Sequence, residues 1–401
     1  LIPQDDKTSL SIPLIAHGLS LPAFVLIFPS VILLVALVAA IVAGRSYQFA
    51  WAVVATSLFA CFLLDQHRLQ PWAYQSCIYA LIFATMSPAT GRKLLIPLAA
   101  SVYVYSAAGK FDYQFTHTVG QDLLAAVARL IGGLPENLDA TTRARLALLF
   151  PAAEFVAGLG LLASRTRRPS AVVLMLMHLS LLAILGPWGL NHSRGVLLWN
   201  MMLIAQAYLL MWREPNQQGP SADKSTIDKP TMSSEKACSV NKSDAGESIA
   251  SWLVRIIVVL VILSPVLERS GCWDHWTSWS LYSPHTSRAE IELHRSVIGK
   301  IDPHLAEFLE EDKDGDGWQR LSLESWSLTD RFVPIYPQSR YQLSLANQLC
   351  SSNNFDAEIR VKLRGVADRW TGERSESRLI GQRQISQACN DFWLNNMITQ
   401  P

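Results

Sequence analysis

Long apolar runs alternate with short polar breaks through the first two-thirds of the chain. A transmembrane helix needs about 20 mostly apolar residues. Runs at 22–44, 47–64, 72–89, 94–109, 144–163, 170–187, 195–212 and 250–267 meet or approach that length. They predict a mainly α fold, a polytopic transmembrane helix bundle of about eight spans. After residue 268 the pattern changes. "AEIELHRSV" and "AEIRVKLRGVA" alternate apolar and polar positions, as half-buried strands do, and "PHLAEFLEE" and "RYQLSLANQLC" read as helices. A small extracytoplasmic α+β domain is expected there. The expected organisation is an outer segment at 1–21, the bundle at 22–212, a linker at 213–248, a last span at 249–268 and the outer domain at 269–401. The linker is rich in Ser, Lys, Asp and Pro, cannot bury a core, and reads as disordered and cytoplasmic.

Basic residues in short loops set orientation, because Lys and Arg are retained on the cytoplasmic side. Arg45, the pair Arg92 and Lys93, the cluster Arg165, Arg167 and Arg168, and Arg213 fall in alternate loops. One topology satisfies all of them: N-terminus and C-terminal domain outside, multi-pass in the cell's inner (cytoplasmic) membrane. Residues 1–21 carry no basic n-region and the first run exceeds a leader's apolar core, so that run reads as a retained span. Four unusual stretches then share the outer side: "DQHRLQPW", "GKFDYQFTHTVGQ", "GPWGLNHSRG" and "SGCWDHWTSWSLYSPH".

Composition agrees with the pattern. Half of the 401 residues are hydrophobic and 17% are charged, unusual for a soluble protein and ordinary for a membrane protein with a soluble appendage. A net charge of +1 gives no reason to expect a nucleic-acid partner. No phosphate-binding glycine loop occurs. Six cysteines form no C-x-x-C pair, which argues against a thioredoxin-like motif or a zinc ribbon. Cys61 and Cys77 lie in adjacent spans and read as apolar packing residues, with a redox pair as the sharper alternative. Cys350 and Cys389 fall in an exported, oxidising domain, where a disulfide is expected, with Cys272 as an alternative partner. Cys238, in the linker, should be a free thiol.

Several residues carry candidate chemistry. Lys110 and Asp112 end the fourth span. They either snorkel to the interface or supply a half-buried amine able to act as a base or to pair an anion. Glu154 lies inside a span, where a carboxylate is costly and normally faces the bundle interior with a partner. Asp65, His67, Arg68, Gln70 and Trp72 form either a self-paired turn or a cap over a ligand. Asn191, His192, Trp199 and Asn200 lie at a Gly/Pro-broken loop into the seventh span, as belt residues or as donors to a ligand. His178, in mid-span, reads as a satisfied core histidine. Asp312, Asp314 and Asp316, with Gly317, match the first half of a calcium loop, but Leu323 stands where its Glu belongs and Glu324 comes one residue late. Trp273, Trp276, Trp279 and Tyr282 read as a clasp between bundle and domain.

"SAAGKFDYQF", "FPAAEFVAGLGLL" and the basic "SRTRRPS" with its following apolar helix resemble the MauE/DoxX-like redox-associated membrane proteins over residues 60–212. The resemblance places Lys110 and Glu154 at motif positions. It implies a helix bundle that assists membrane redox chemistry or the maturation of exported proteins, perhaps with a quinone, and an exported redox protein as partner. Lys110-Phe111-Asp112 is also similar to the catalytic-lysine motif of the horizontally transferred transmembrane family that includes vitamin K-dependent γ-carboxylase. That similarity implies an enzyme with Lys110 as base, although the spacing from Gly109 differs and no histidine matches. A scaffold that binds a partner through its outer domain is the third expectation. The bilayer is the expected surroundings in every case.

Overall fold

The computed structural model describes residues 11–14, 22–42, 47–129, 132–135, 137–187, 189–190, 192–211, 248–393 and 396–397. The expected linker, apart from Ser248, and most of the expected 1–21 segment lie outside the described residues, as does Asn191.

Each of the eight apolar runs contains a helix. They are α1 (Ala23–Val42), α2 (Tyr47–Leu64), α3 (Pro71–Thr85), α4 (Pro88–Lys110), α8 (Leu149–Gly160), α9 (Arg167–Leu185), α10 (Arg194–Met211) and α11 (Ile249–Leu263). Shorter helices α5 (Tyr113–His117), α6 (Val119–Arg129) and α7 (Ala140–Ala147) link α4 to α8. Local chemistry sets the starts. Pro71 and Pro88 occupy first-turn positions that have no N–H to satisfy. Ser87, Asp112, Asp139 and Ser248 accept a backbone N–H as N-caps.

Among the described residues, five segments are long and apolar enough to cross a membrane: 24–42, 47–64, 167–185, 194–211 and 249–267. The expected count of about eight is thus reached by helices but not by spans of that quality. α3 has only 15 residues and α8 only 12, with Glu154 inside it. α4 has 23, but carries Arg92, Lys93 and Lys110. α3 and α4 are the more enclosed of them, whereas α8 turns Leu149, Val156 and Leu159 outward. α4 packs on α8, and α11 packs on both α3 and α4. The five apolar segments turn large side chains outward, among them Phe24, Phe28 and Leu34 of α1, Leu176 of α9, Leu198 of α10 and Leu260 of α11. Apolar exposure on this scale needs an apolar surround.

The C-terminal domain is α+β, as its alternation predicts. An antiparallel sheet runs in the order β2 (Trp318–Arg320), β1 (Arg288–His294), β3 (Ile359–Arg364), β4 (Glu376–Ile380). Single-turn helices α12 (Pro303–Ala306) and α13 (Leu323–Trp326) precede α14 (Ser339–Asn353) and α15 (Gly381–Asn390). The expected helix at 303–311 is therefore only one turn long. Ile291, Leu293, Val361 and Leu363 point from the sheet onto α14 and α15, meeting Leu345, Leu349 and Ile385. Cys350 and Cys389 belong to this core. The expected disulfide is not formed: both are buried free thiols, each pushed up to about 12 by burial.

Backbone carbonyls at the end of α4 are bonded by arginines from far along the chain. Arg369 donates to Phe111 O at 2.9 Å and to Ala108 O at 3.4 Å, and Arg269 donates to Gly109 O at 3.3 Å. The last carbonyls of a helix lack partners of their own. The C-terminal domain supplies them here, and so docks onto the helix end that carries Lys110.

Candidate functional site

Polar side chains collect at two levels, inside the bundle and at its junction with the C-terminal domain. Inside, Lys110 Nζ donates to Glu154 Oε2 at 2.6 Å and to Ser106 Oγ at 2.9 Å. Both side chains of the pair are 10% exposed. Helical spacing puts Ser106 one turn below Lys110 on the same face. Gly158 lets α8 approach α4 closely: a Cβ there would stand 2.9 Å from Tyr103 Cβ and 3.2 Å from Val104 N. The expected partner of Glu154 is therefore Lys110, brought from 44 positions away.

Two further networks lie between the helices. His178 donates from Nδ1 to Asn200 Oδ1 at 2.8 Å and accepts Tyr103 O–H at 3.0 Å, a tautomer fixed by Asn200 Nδ2 donating to Val196 O. His178 is thus a satisfied core histidine, within reach of the charges of Glu154 and Lys110. Trp199 Nε1 donates to Gln75 Oε1 at 2.9 Å, and Gln75, Tyr79 and Gln206 complete that group. Trp72 packs on Trp199 with ring centroids 5.9 Å apart.

The expected ligand cap at 65–72 is a structural joint. Asp65 caps its turn through His67 N and pairs with Arg68 and Arg331. Arg68 donates to Leu26 O at 2.9 Å and Ser30 Oγ at 2.8 Å, tying α1 to the turn. His67 Nε2 meets Pro334 O at 3.1 Å and Ser327 Oγ at 3.0 Å, and Gln70 donates to His67 O. Burial lowers His67 to about 4, more than the Asp65 charge raises it.

At the second joint, one carboxylate oxygen gathers two imidazoles. Glu268 Oε1 lies 2.8 Å from His275 Nδ1 and 2.9 Å from His285 Nε2. The other ring nitrogen of His285 is 3.1 Å from Asp112 Oδ2, a bent ion-pair contact rather than a straight hydrogen bond. Arg269 donates to that same Asp112 oxygen at 2.8 Å, while Asp112 Oδ1 caps α5 through Phe115 N. Asp112, Glu268, His275 and His285 are all buried. Burial alone would raise Glu268, yet its contacts to His275 and His285 hold it well below the usual carboxylate range. Asp112 is lowered too: burial opposes, and His285, Phe115 N–H and Arg269 prevail. His285 is raised, because two carboxylates outweigh its burial, whereas burial prevails at His275 and lowers it. Folding thus moves the proton affinities of the two imidazoles in opposite directions.

The segment between the two histidines turns sharply. Trp279 and Tyr282 hold φ of 60° and 56°, left-handed values that are costly for aromatic residues. Trp279 is fully buried and packs on Tyr74 of α3, so the tryptophan stretch does clasp the bundle. A Cβ on Gly109 would lie 2.6 Å from Ser283 Oγ, so only glycine lets this turn rest on α4 beside Lys110. A cavity of about 510 Å³ opens here, with His275, Ser280, Tyr282 and Ser283 in its wall and Arg288 and Glu324 at its rim.

His192 does not join Lys110 and Glu154. Its Nδ1 accepts Ser193 N–H at 2.8 Å and its ring meets the edge of Tyr282, with burial lowering its proton affinity. Asp312, Asp314 and Asp316 do converge, but Asp312 accepts Gly315 N–H and Gly317 N–H, and Asp316 pairs with Arg360. Three carboxylates held by their own turn are an incomplete calcium set. Sequence reasoning missed Glu268, His275 and His285 as site residues. The quoted stretch "SGCWDHWTSWSLYSPH" held both histidines, and the acidic residue two positions before it was the remaining signal. Compared with protein-family models, curated proteins and solved structures, the chain matches none.

Proposed function

We propose that the protein is a multi-pass membrane enzyme that carries out acid–base chemistry on a small, charged molecule. The molecule reaches the bundle–domain junction from the outer side of the cytoplasmic membrane. The observation that carries this reading is the buried Lys110–Glu154 pair beneath that junction. Two charges removed from water gain little stability net of desolvation, so a buried pair is weak evidence of a structural staple alone. A general base needs a free lone pair; Glu154, which accepts from Lys110 Nζ, is the group to which the amine would pass its proton before taking one from the substrate. Glu154 and Ser106 position Lys110, and the Tyr103–His178–Asn200 group lies next to it. All eight apolar runs are taken to traverse the bilayer, with α3 and α4 packed among the others. The alternate placement of Arg and Lys supports a C-terminal domain on the outer side.

The carboxylase-like reading, with Lys110 as base, fits this arrangement better than the redox-associated one. Charged Arg288 and Glu324 at the cavity rim suit an ionic small molecule and not a quinone ring. Cys61 and Cys77 each have other partners, Ser30 and Arg68 for Cys61 and Ala55 O for Cys77. An exported redox protein as partner belongs to that second reading.

A pair of substitutions tests the proposal. Lys110→Met leaves Glu154 buried alone and should cost about 3–5 kcal/mol of stability. Adding Glu154→Gln removes that unpaired charge and should restore much of the loss. Bound small molecules are then identified by mass spectrometry of the copurified protein. If the double variant is stable but no longer carries the wild-type molecule, the pair is functional. If it retains that molecule and turns it over, Lys110 is a staple and the reading fails.

A further inference from the structure

We propose that Glu268, His275 and His285 bind one divalent transition-metal ion of the zinc class, with Asp112 orienting His285 from behind. This goes beyond the acid–base reading of Lys110 and does not rest on it, since the ligands are different residues and the readout is metal content.

Four observations support it. The first is convergence. One ligand atom from each of the three residues lies within 4.8 Å of the others, and both imidazole nitrogens are already turned to Glu268 Oε1. A tetrahedral ion with bonds of about 2.0–2.2 Å separates its ligands by roughly 3.3 Å. The Glu268–His275 and Glu268–His285 distances of 2.8 and 2.9 Å open to that value by a few tenths of an ångström. The second is donor chemistry. Two imidazole nitrogens, with His285 giving up its proton on binding, and one carboxylate select zinc and its neighbours over calcium or magnesium, which prefer all-oxygen sets.

The third observation is the shell behind the ligands. With Nε2 on the ion, His285 carries its proton on Nδ1, which faces Asp112 Oδ2 at 3.1 Å. The contact is bent, and a small turn of the ring on metal binding would straighten it into the carboxylate–histidine–metal arrangement that fixes tautomer and ring orientation. Arg269 anchors the same Asp112 oxygen and Phe115 N–H the other, so the carboxylate is held at both ends. The fourth is access. His275 forms part of the cavity wall with Ser280 and Ser283. Of the three ligands His275 alone lines the cavity, and a small molecule entering there would take the remaining coordination position, as in catalytic rather than structural zinc sites. The left-handed residues Trp279 and Tyr282, between the two histidines, fold the chain back so that both reach one glutamate.

The test uses the full-length protein in detergent, stripped with a chelator and titrated with Co²⁺. One equivalent per chain is expected, with the visible absorption of cobalt in a four- or five-coordinate site and displacement by Zn²⁺. X-ray absorption of the zinc-loaded wild type should show two imidazoles and oxygen. Asp112→Asn should weaken binding about 10–100-fold without abolishing it, as loss of an outer partner does. His275→Ala, at the cavity wall, should abolish the cobalt colour. No uptake by the wild type, an all-oxygen environment, or uptake unchanged in both variants overturns the proposal. The wild-type spectra decide the matter even where His275→Ala does not fold.

Discussion

At the Asp65–Gln70 turn a buried imidazole meets a backbone carbonyl and a hydroxyl, while at the Asp112–His285 joint one lies between two carboxylates. The two joints connect the same pair of domains and bury the same residue types. In the first, Asp65 directs its oxygens to Arg68, Arg331 and a turn N–H, so burial prevails at His67 and the ring is neutral. In the second, Asp112 and Glu268 face the ring directly and raise the proton affinity of His285 against its burial. The charge of a buried histidine is thus set by where its neighbouring carboxylates point, beyond their being nearby.

The largest expected effect that would break this comparison is from Glu268→Ala. It removes the shared acceptor of two buried imidazoles and should cost about 3–5 kcal/mol, read from unfolding of the detergent-solubilised protein. Asp65→Ala should cost less than half as much, because its partners Arg68 and Arg331 are partly exposed. Equal losses would mean that the joints are equivalent.

The second prediction concerns pH. His67 titrates near 6.5 unfolded and about 4 folded. Its contribution is complete above pH 6.5 and is lost as pH falls towards 4, by about 3 kcal/mol over that window. His285 has the opposite sign: raised on folding, it stabilises fully below pH 6.5 and loses that contribution as pH rises through its folded value. Comparing stability against pH for wild type and His67→Gln isolates the first slope. An unchanged acid limb in the variant would remove His67 from the account.

Smaller effects follow from packing. Gly109→Ala should cost about 1–3 kcal/mol, since its Cβ meets Ser283 Oγ at 2.6 Å, and should disturb the second joint only. Gly299→Ala, with nothing within 4 Å, should be near neutral in the same unfolding assay. Least energetic is a labelling contrast: Cys272 is exposed, whereas Cys350 and Cys389 are buried. A membrane-impermeant maleimide applied to intact cells should modify Cys272 quickly and the other two only after denaturation. Protection of Cys272 would place the C-terminal domain on the opposite side.

Periodicity revealed the long apolar helices and the β1 and β3 strands because each is specified by its own neighbouring residues. It also marked Lys110 and Glu154 as out of place in apolar runs, and that cost is what makes such residues find a partner. It could not say that the partner of Glu154 is Lys110, 44 positions away, or that Asp112 meets Arg269 across 157. It left the 65–72 turn open between self-pairing and a ligand cap: Asp65 does pair with Arg68, but the remaining polar groups are satisfied by Leu26, Ser327, Arg331 and Pro334, which only the fold brings near. Glu268, His275 and His285 share no spacing that a motif would catch. What unites them is a turn made by two left-handed aromatic residues.

The arginine bonds to the last carbonyls of α4 have a consequence for the order of assembly. Arg269 and Arg369 are synthesised long after α4. A chain still emerging from the ribosome would therefore hold α4 with a frayed end, and Lys110 would lack its lid until the β3–β4 region had been made and folded. The site is built last, from residues made first and residues made near the end. A chain halted after α11 would insert its helices and leave the junction unfinished, so the domain serves as the final quality check on the bundle beneath it.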